Sequence, residues 1–190
     1  MPGPMSRYPM APLLLAILLL ACGGDGAGDR REDADLYSHL GSDFELIDQH
    51  AQSFRLSTHS GVSLLFFGFT SCPDVCPLTM SRLALVMAQL PDHGVTVLFV
   101  SVDPRRDTPA RLTEYGASYD FPWIGLTSED PARIRAVAKS FAAGIGRDPD
   151  GAIDHSSRIY LLDAADQIRD VFSSDDDTEH MVEVIRATID

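Results

Sequence analysis

Two cysteines separated by three residues are the side chains of this sequence best suited to chemistry. Cys72 and Cys76 lie in segment 70–77, which reads TSCPDVCP. A thiolate is both the nucleophile of disulfide exchange and a soft ligand that favours copper(I). The third cysteine of the 190-residue chain, Cys22, directly follows an apolar N-terminal run. The pair therefore predicts redox chemistry or a soft-metal site.

The first 21 residues predict an export signal. Arg7 supplies positive charge, residues 13–20 an apolar stretch, and Ala21 the small residue before cleavage. The apolar run of about a dozen residues is too short for a membrane span, which needs about 20. The ending Leu-Leu-Ala-Cys is similar to a bacterial lipobox, in which the cysteine, here Cys22, is lipidated. The alternative is an ordinary signal peptide with Cys22 incidental.

The remaining chain predicts a tether followed by one domain. Residues 22–43 are polar, charged and rich in glycine, which is typical of a flexible linker. Residues 44–190 are long enough for one domain with its own core. The formal net charge of −13 argues against nucleic acid as a partner. We expect a lipid-anchored protein of the bacterial cell membrane, with its domain facing the periplasm or the cell exterior.

Hydrophobic patterns predict an α/β fold. A hairpin is expected over residues 44–56, and near-continuous apolar runs at 62–69 and 95–102 predict buried strands. Further expected elements are helices over 78–90 and 178–189, helices beginning after Thr108 and Asp130, a short strand or buried link at 123–126, and strands over 158–163 and 167–172. The order predicts a thioredoxin-like mixed sheet flanked by helices, with an N-terminal β-hairpin.

The cysteine pair falls where such sheets place their ligands, beyond the carboxyl end of a buried strand. Each cysteine precedes a proline, which disfavours helical backbone at the cysteine. We therefore expect a loop in which Cys76 caps the next helix and Pro77 takes the first helical position. Amides at that helix terminus would stabilise a thiolate.

A trigonal copper(I) site needs a third donor, and the chain has six histidines. His155 stands out because it lies just before the strand at 158–163. In a thioredoxin-like sheet the loop at this point faces the cysteines. The alternative is a solvent-facing loop imidazole.

Four segments resemble the signature of the SCO/SenC copper-binding proteins: residues 67–77 (FGFTSCPDVCP), 101–109 (SVDPRRDTP), 124–127 (IGLT) and 154–157 (DHSS). The likeness runs from about residue 44 to the C-terminus. It implies a thioredoxin-like domain that binds one copper ion through Cys72, Cys76 and His155. It also implies assembly of the copper A centre of cytochrome c oxidase subunit II, with a periplasmic copper donor protein as a second partner.

Three other residues near these motifs bear on the site. Asp74 and Asp103 are candidates to surround the copper ligands, although Asp103 could instead organise hydrogen bonds of its own loop. Ser71 departs from the larger side chain of many relatives without removing a ligand. The hairpin turn at 48–52 lacks an Asn-Gly or Asp-Gly pair, so the sequence leaves its register open.

Three other functions compete with a copper chaperone. A periplasmic thiol–disulfide oxidoreductase, reducing the subunit II cysteines or sensing redox state, would use Cys72 and Cys76 as a redox-active dithiol. Against it, the spacer has three residues rather than two, and no proline lies in 153–157, before the strand that faces the dithiol. A peroxidase-like activity rests on the fold alone. The third is a lipoprotein with a structural disulfide, and whether the chain is an enzyme stays open.

Overall fold

The computed structural model describes residues 36–90, 94–147, 153–155 and 157–189. The described elements, in chain order, are β1 (Glu45–Asp48), β2 (Ser53–Arg55), a 3-10 turn (Leu56–Thr58), β3 (Val62–Gly68), α1 (Val75–Met87), β4 (Val95–Ser101), α2 (Pro109–Gly116), β5 (Trp123–Thr127), α3 (Pro131–Ser140), β6 (Ile145–Arg147), β7 (Ile153–His155), β8 (Ile159–Leu162), β9 (Ile168–Phe172) and α4 (Thr178–Ile189).

Seven of these strands form one mixed sheet in the order β2-β1-β5-β4-β3-β8-β9. The three central neighbours β3, β4 and β5 run parallel, whereas β8 and β9 continue the sheet antiparallel on one side and β1 and β2 on the other. The predicted thioredoxin-like mixed sheet flanked by helices is therefore confirmed.

Strand β3 is the centre of the core. All seven of its residues are buried, as the continuous apolar run predicted. It pairs with β4 from Val62 opposite Val95 to Gly68 opposite Ser101. Because both strands end at the same edge of the sheet, the segments that follow Gly68 and Ser101 emerge side by side.

The predicted N-terminal hairpin is confirmed, and its register places Leu46 opposite Phe54. An aspartate makes the turn in place of an Asn-Gly pair. The Asp48 carboxylate accepts hydrogen bonds from the backbone N–H groups of His50 and Gln52, each at 2.8 Å. Ala51 adopts a φ of 60°, which completes the turn.

Both predicted helix starts with a following proline are confirmed. Thr108 caps α2 by accepting from the Arg111 N–H at 3.3 Å, and Asp130 caps α3 by accepting from the Ala132 N–H at 2.8 Å. The prolines that follow these caps take the first helical turn, where a missing N–H costs no bond.

A small second sheet, in which β6 pairs antiparallel with β7, was not predicted from the sequence. His155, expected in a loop, lies instead in β7 opposite Ile145. Strands of three residues are too short to show a hydrophobic alternation, so the pattern gave no signal here.

The predicted signal peptide, Cys22 and most of the predicted tether lie outside the described residues. At the end of that tether, Tyr37 and Leu40 pack against the core, and the Gly41 N–H donates to the Ser140 carbonyl at 2.7 Å. Within the part of the chain that the structure describes, no helix is long and apolar enough to cross a bilayer.

Candidate metal centre

The cysteine pair lies at the junction of β3 and α1. After β3 ends, the chain turns back on itself, and the Cys72 N–H donates to the Phe69 carbonyl at 3.1 Å. The Cys76 N–H then donates to the Cys72 Sγ at 3.4 Å. Cys72 is part-buried, Cys76 is fully buried, and both are free thiols. The backbone of α1 thus points an amide at the more accessible sulfur.

The predicted capping arrangement is wrong in one respect. Asp74, not Cys76, is the N-cap of α1, so that Cys76 and Pro77 are the second and third helical residues. None of the first three N–H groups has a partner inside the helix, and a proline therefore fits at the third position as well as at the first. Cys72 precedes the helix, which confirms that the two cysteines do not share a helix face.

The two thiols have opposite electrostatic environments. Burial raises the pKa of Cys72, but hydrogen bonds to its sulfur, chiefly from the backbone N–H groups of Cys76, Asp74 and Val75, outweigh burial and bring the pKa below its usual value. Burial raises the pKa of Cys76 to about 12, with contributions from the negative charges of Cys72 and Asp107. Cys72 is therefore the thiol that ionises more readily, whereas Cys76 keeps its proton at neutral pH.

The lack of a side chain at Gly68 leaves room for the Cys76 sulfur. A Cβ on Gly68 would lie 3.0 Å from Cys76 Sγ, 2.9 Å from Phe66 Cε1 and 2.8 Å from Phe99 Cε2. These atoms belong to fully buried side chains, which have no free space to move into. The absence of a side chain at the end of β3 is thus required for the buried thiol.

A buried carboxylate that the sequence analysis did not single out holds the cysteine loop. Asp107 is fully buried and accepts from the Thr70 N–H at 3.0 Å, the Thr70 hydroxyl at 2.7 Å and the Ser101 hydroxyl at 2.6 Å. The Arg111 Nε donates to the Thr70 hydroxyl at 3.1 Å, so that hydroxyl directs its proton to Asp107. The network joins the ends of β3 and β4, two residues from Cys72.

The two aspartates predicted near the copper ligands differ in environment. Asp103 is buried; its N–H donates to the Ser101 hydroxyl at 3.1 Å and its carboxylate accepts from the Arg106 guanidinium. These bonds support the role of organising its own loop. Asp74 is exposed, and its side chain makes no capping bond at α1.

His155 is placed by its backbone in β7, and its ring is not among the side chains that the structure describes. The residues after it border the cysteine helix, because Ser157 and Ile159 line the same groove as Val75 and Leu78. Among the described side chains, no group of three or more His, Cys, Asp or Glu is arranged to hold a metal ion. The predicted ligand role of His155 therefore stays a prediction.

Comparison with known proteins places this arrangement in a family. A model of the SCO1/SenC family matches residues 32–190. This chain belongs to the SCO1/SenC family. It is 37% identical over 156 residues to an SCO2-like protein of Rickettsia conorii, a match that covers 77% of this chain and 76% of the relative.

Solved SCO1/SenC structures share the fold. The crystal structure of Arabidopsis thaliana ScoI with copper bound matches with a TM-score of 0.73 and 28% identity, covering 79% of this chain and 98% of that one. Copper-bound ScoI of Bradyrhizobium japonicum matches with a TM-score of 0.68 and 33% identity, covering 78% of this chain and 99% of that one. Both of these SCO1/SenC structures contain copper.

The described sulfur atoms of this SCO1/SenC chain fit a soft metal ion. Hydrogen bonds stabilise the thiolate form of Cys72, and Cys76 supplies a second sulfur from the first turn of α1, four positions further along the chain. Thiolates select copper(I) over hard cations. The same pair also suits disulfide exchange, because a low-pKa thiol next to a second thiol is the arrangement that such chemistry uses.

Proposed function

We propose that this protein is a membrane-tethered copper chaperone that binds one copper ion through Cys72, Cys76 and His155. We further propose that it assists assembly of the copper A centre of cytochrome c oxidase subunit II. The observation that carries the proposal is the pair of free cysteines at the N-terminus of α1, where backbone amides lower the pKa of Cys72. Family membership and the copper in the two ScoI structures support it.

Copper binding requires the reduced pair, because a disulfide sulfur is not a thiolate ligand. Cys72 binds first in this scheme, since its sulfur loses its proton at lower pH than Cys76. Cys76 releases its proton when the ion arrives. The positive charge of the ion then takes the place of the proton's charge in the buried site. The His155 imidazole, in its neutral form, completes a trigonal set.

In this scheme, the N-terminal segment of the chain keeps the metal site near its acceptor. Lipidation at Cys22 would confine the protein to the membrane surface, and the polar tether at 22–43 would let the domain reach a membrane-bound subunit II. A periplasmic copper donor protein would load the site before transfer.

The deciding experiment is copper stoichiometry of the reduced chain from residue 24 onward. We expect one copper per wild-type chain and a strong loss of affinity in His155→Ala. His50→Ala is the matched control, because His50 is an exposed hairpin histidine, and it retains wild-type binding. Equal copper affinity in wild type and His155→Ala would refute the three-ligand site, and no copper on the reduced wild type would refute the chaperone.

The opposite pKa shifts of the two cysteines also favour a second function, reduction of a disulfide in subunit II. The Cys72 thiolate attacks one sulfur of that disulfide, and the other sulfur leaves as a thiolate. Cys76, on losing its proton, then attacks the Cys72 sulfur, which releases the reduced partner and leaves a Cys72–Cys76 disulfide. This route needs no imidazole, so His155→Ala would retain it while losing copper.

A further inference from the structure

The helix that carries Cys76 is apolar on both of its sides. Its inner face buries Cys76, Met80, Leu83, Val86 and Met87. Its outer face exposes Val75, Leu78 and Leu85, with 39%, 67% and 62% of their surfaces accessible. Among the described residues, one further large apolar side chain is comparably exposed, Leu36 at 58%. Apolar surface on the solvent side of a helix marks a contact face.

The exposed side chains are aligned. Val75, Leu78 and Leu85 are separated by three and then seven residues, a spacing that places them on one face of a helix over about 15 Å. We call these three residues the α1 stripe. Its first member is the immediate neighbour of Cys76. The α1 stripe therefore begins at the reactive pair.

A groove of about 330 Å³ runs beside the start of this stripe. One wall is formed by α1, and the other by the chain around β8 and the end of β9. The groove is lined by Val75, Leu78 and Arg82 on the α1 side and by Ser157, Ile159 and Ser174 opposite. It thus lies between the segment that carries Cys76 and the segment that follows His155.

Arg82 supplies the groove with a hydrogen-bond donor. Its Nη1 donates to the Ser173 carbonyl at 2.7 Å. Its Nη2 is buried and has no partner among the residues that the structure describes. A guanidinium nitrogen carries hydrogens to donate. Leaving such a donor buried without an acceptor raises the free energy of the folded protein. An oxygen acceptor in the groove would satisfy this nitrogen once a small rotation of the Arg82 side chain turns it toward the groove.

We propose that the α1 stripe and this groove form the docking surface for the protein that receives copper from the Cys72–Cys76 pair. The partner places an apolar side chain against Val75 and Leu78, and an extended segment of it offers a carbonyl oxygen to the Arg82 Nη2. This inference rests on the function proposed above. It adds where the acceptor binds and what it presents.

Two other occupants fit the surface less well. A net charge of −13 opposes close approach to an anionic membrane surface. A second copy of the chain would bury three aligned side chains, a small fraction of the roughly 800 Å² per partner in a stable dimer. A small apolar contact with one buried polar bond suits a transient partner that must leave after transfer.

The test measures copper(I) transfer from the loaded protein to the reduced, copper-free soluble domain of subunit II from the same organism. The stripe variant is Leu78→Ser/Leu85→Ser, and the matched control is Leu36→Ser, which removes an equally exposed leucine elsewhere. We expect the second-order rate constant of transfer to fall about tenfold in the stripe variant and severalfold in Arg82→Gln. Leu36→Ser should transfer at the wild-type rate.

A second readout separates docking from the metal site. Extraction of copper by a small chelator should be the same in wild type and stripe variant, and the midpoint of thermal unfolding should fall only by the few degrees expected for two serines in an exposed helix face. If the wild type transfers copper and the stripe variant transfers it at the same rate, the docking surface is wrong but the proposed function stands. No transfer by wild type would overturn the proposed function and this partner with it. Stripe-dependent self-association, or stripe-dependent binding to phosphatidylcholine vesicles with unchanged transfer, would also overturn the proposal.

Discussion

Thr70 donates two hydrogen bonds to Asp107, from its N–H at 3.0 Å and from its hydroxyl at 2.7 Å, across 37 positions of sequence. Thr70 begins the loop that carries the cysteines, and Asp107 precedes the cap of α2. Because Asp107 also accepts a hydrogen bond from Ser101 at the end of β4, these bonds fix the cysteine loop to that strand, and Asp107 is buried from solvent. Charge-assisted hydrogen bonds of this kind are stronger than bonds between neutral groups.

Replacement of this carboxylate should destabilise the domain. In Asp107→Asn, an NH2 group replaces one carboxylate oxygen. Both oxygens accept hydrogen bonds from Thr70 or Ser101, and an NH2 group cannot accept, so at least one buried bond is lost. We expect the free energy of unfolding to fall by about 2 to 3 kcal/mol, measured by chemical denaturation. Asp130→Asn is the control, because asparagine caps a helix as well as aspartate does. Equal stability of the two variants would contradict the role assigned to Asp107.

Enlarging Gly68 should disturb the buried sulfur. The added methyl group of Gly68→Ala would collide with Phe66, Phe99 and Cys76, so the thiol must move. We expect copper affinity to fall by about tenfold or more, measured by competition with a chelator, together with a loss of stability of about 1 to 3 kcal/mol. Gly144→Ala, where a Cβ meets no atom within 4 Å, is the matched control. Unchanged affinity in Gly68→Ala would show that the sulfur position tolerates the shift.

Copper(I) affinity should rise with pH. Copper displaces the thiol protons, and the pKa of Cys76, at about 12, keeps that thiol protonated at neutral pH. Where Cys72 is ionised and Cys76 is not, one proton leaves per ion bound, and affinity rises about tenfold per pH unit. Titrations against a chelator of known pH dependence, over roughly pH 7 to 9, measure this slope. A flat profile would be inconsistent with a proton on Cys76.

Alkylation of the two thiols in single-cysteine variants gives an independent check. Cys72, in Cys76→Ser, should react with iodoacetamide at a lower pH than an ordinary thiol, because amides stabilise its thiolate. Cys76, in Cys72→Ser, should react slowly until the protein unfolds, because it is buried and protonated. Similar rates for both folded variants would contradict the division of roles.

Removing a buried hydroxyl should stabilise the sheet. Thr127, the last residue of β5, is 3% exposed, and its Oγ1 has no hydrogen-bond partner in the described part of the chain. We expect Thr127→Val to raise the free energy of unfolding by about 1 kcal/mol, because it removes an unsatisfied polar group while preserving shape. Thr108→Val should have the opposite effect, since it deletes the cap of α2. A loss of stability in Thr127→Val would indicate an unseen partner.

Long patterns made the fold predictable from sequence. The continuous apolar runs of β3 and β4 permit little besides a central parallel sheet, and the pairs Thr108-Pro109 and Asp130-Pro131 carry local signals for helix starts. The short strands β6 and β7 carry no such signal, so His155 was expected in a loop. Their pairing depends on residues brought together by the rest of the fold.

The candidate site was predictable in composition but not in detail. The cysteine spacing and its place after a buried strand pointed to Cys72 and Cys76 without any coordinates. The start of α1 could not be fixed to one residue, since a proline fits several positions in a first turn. Asp107 escaped notice because a charged residue between a strand and a helix is typical of a solvated loop. Only its long-range pairing with Thr70 shows otherwise.

The central place of β3 has a consequence for motion at the site. Its residues hydrogen-bond to β4 on one side and β8 on the other, so Ser63 to Phe66 cannot open without parting both neighbours. Their amide protons should exchange with deuterium only through global unfolding, whereas those of the loop beyond Gly68 exchange through local opening. The Thr70–Asp107 bonds fasten the start of the cysteine loop to this scaffold, so the buried Cys76 sulfur should keep its position while the exposed part of the loop around Pro73 and Asp74 adjusts to an incoming protein.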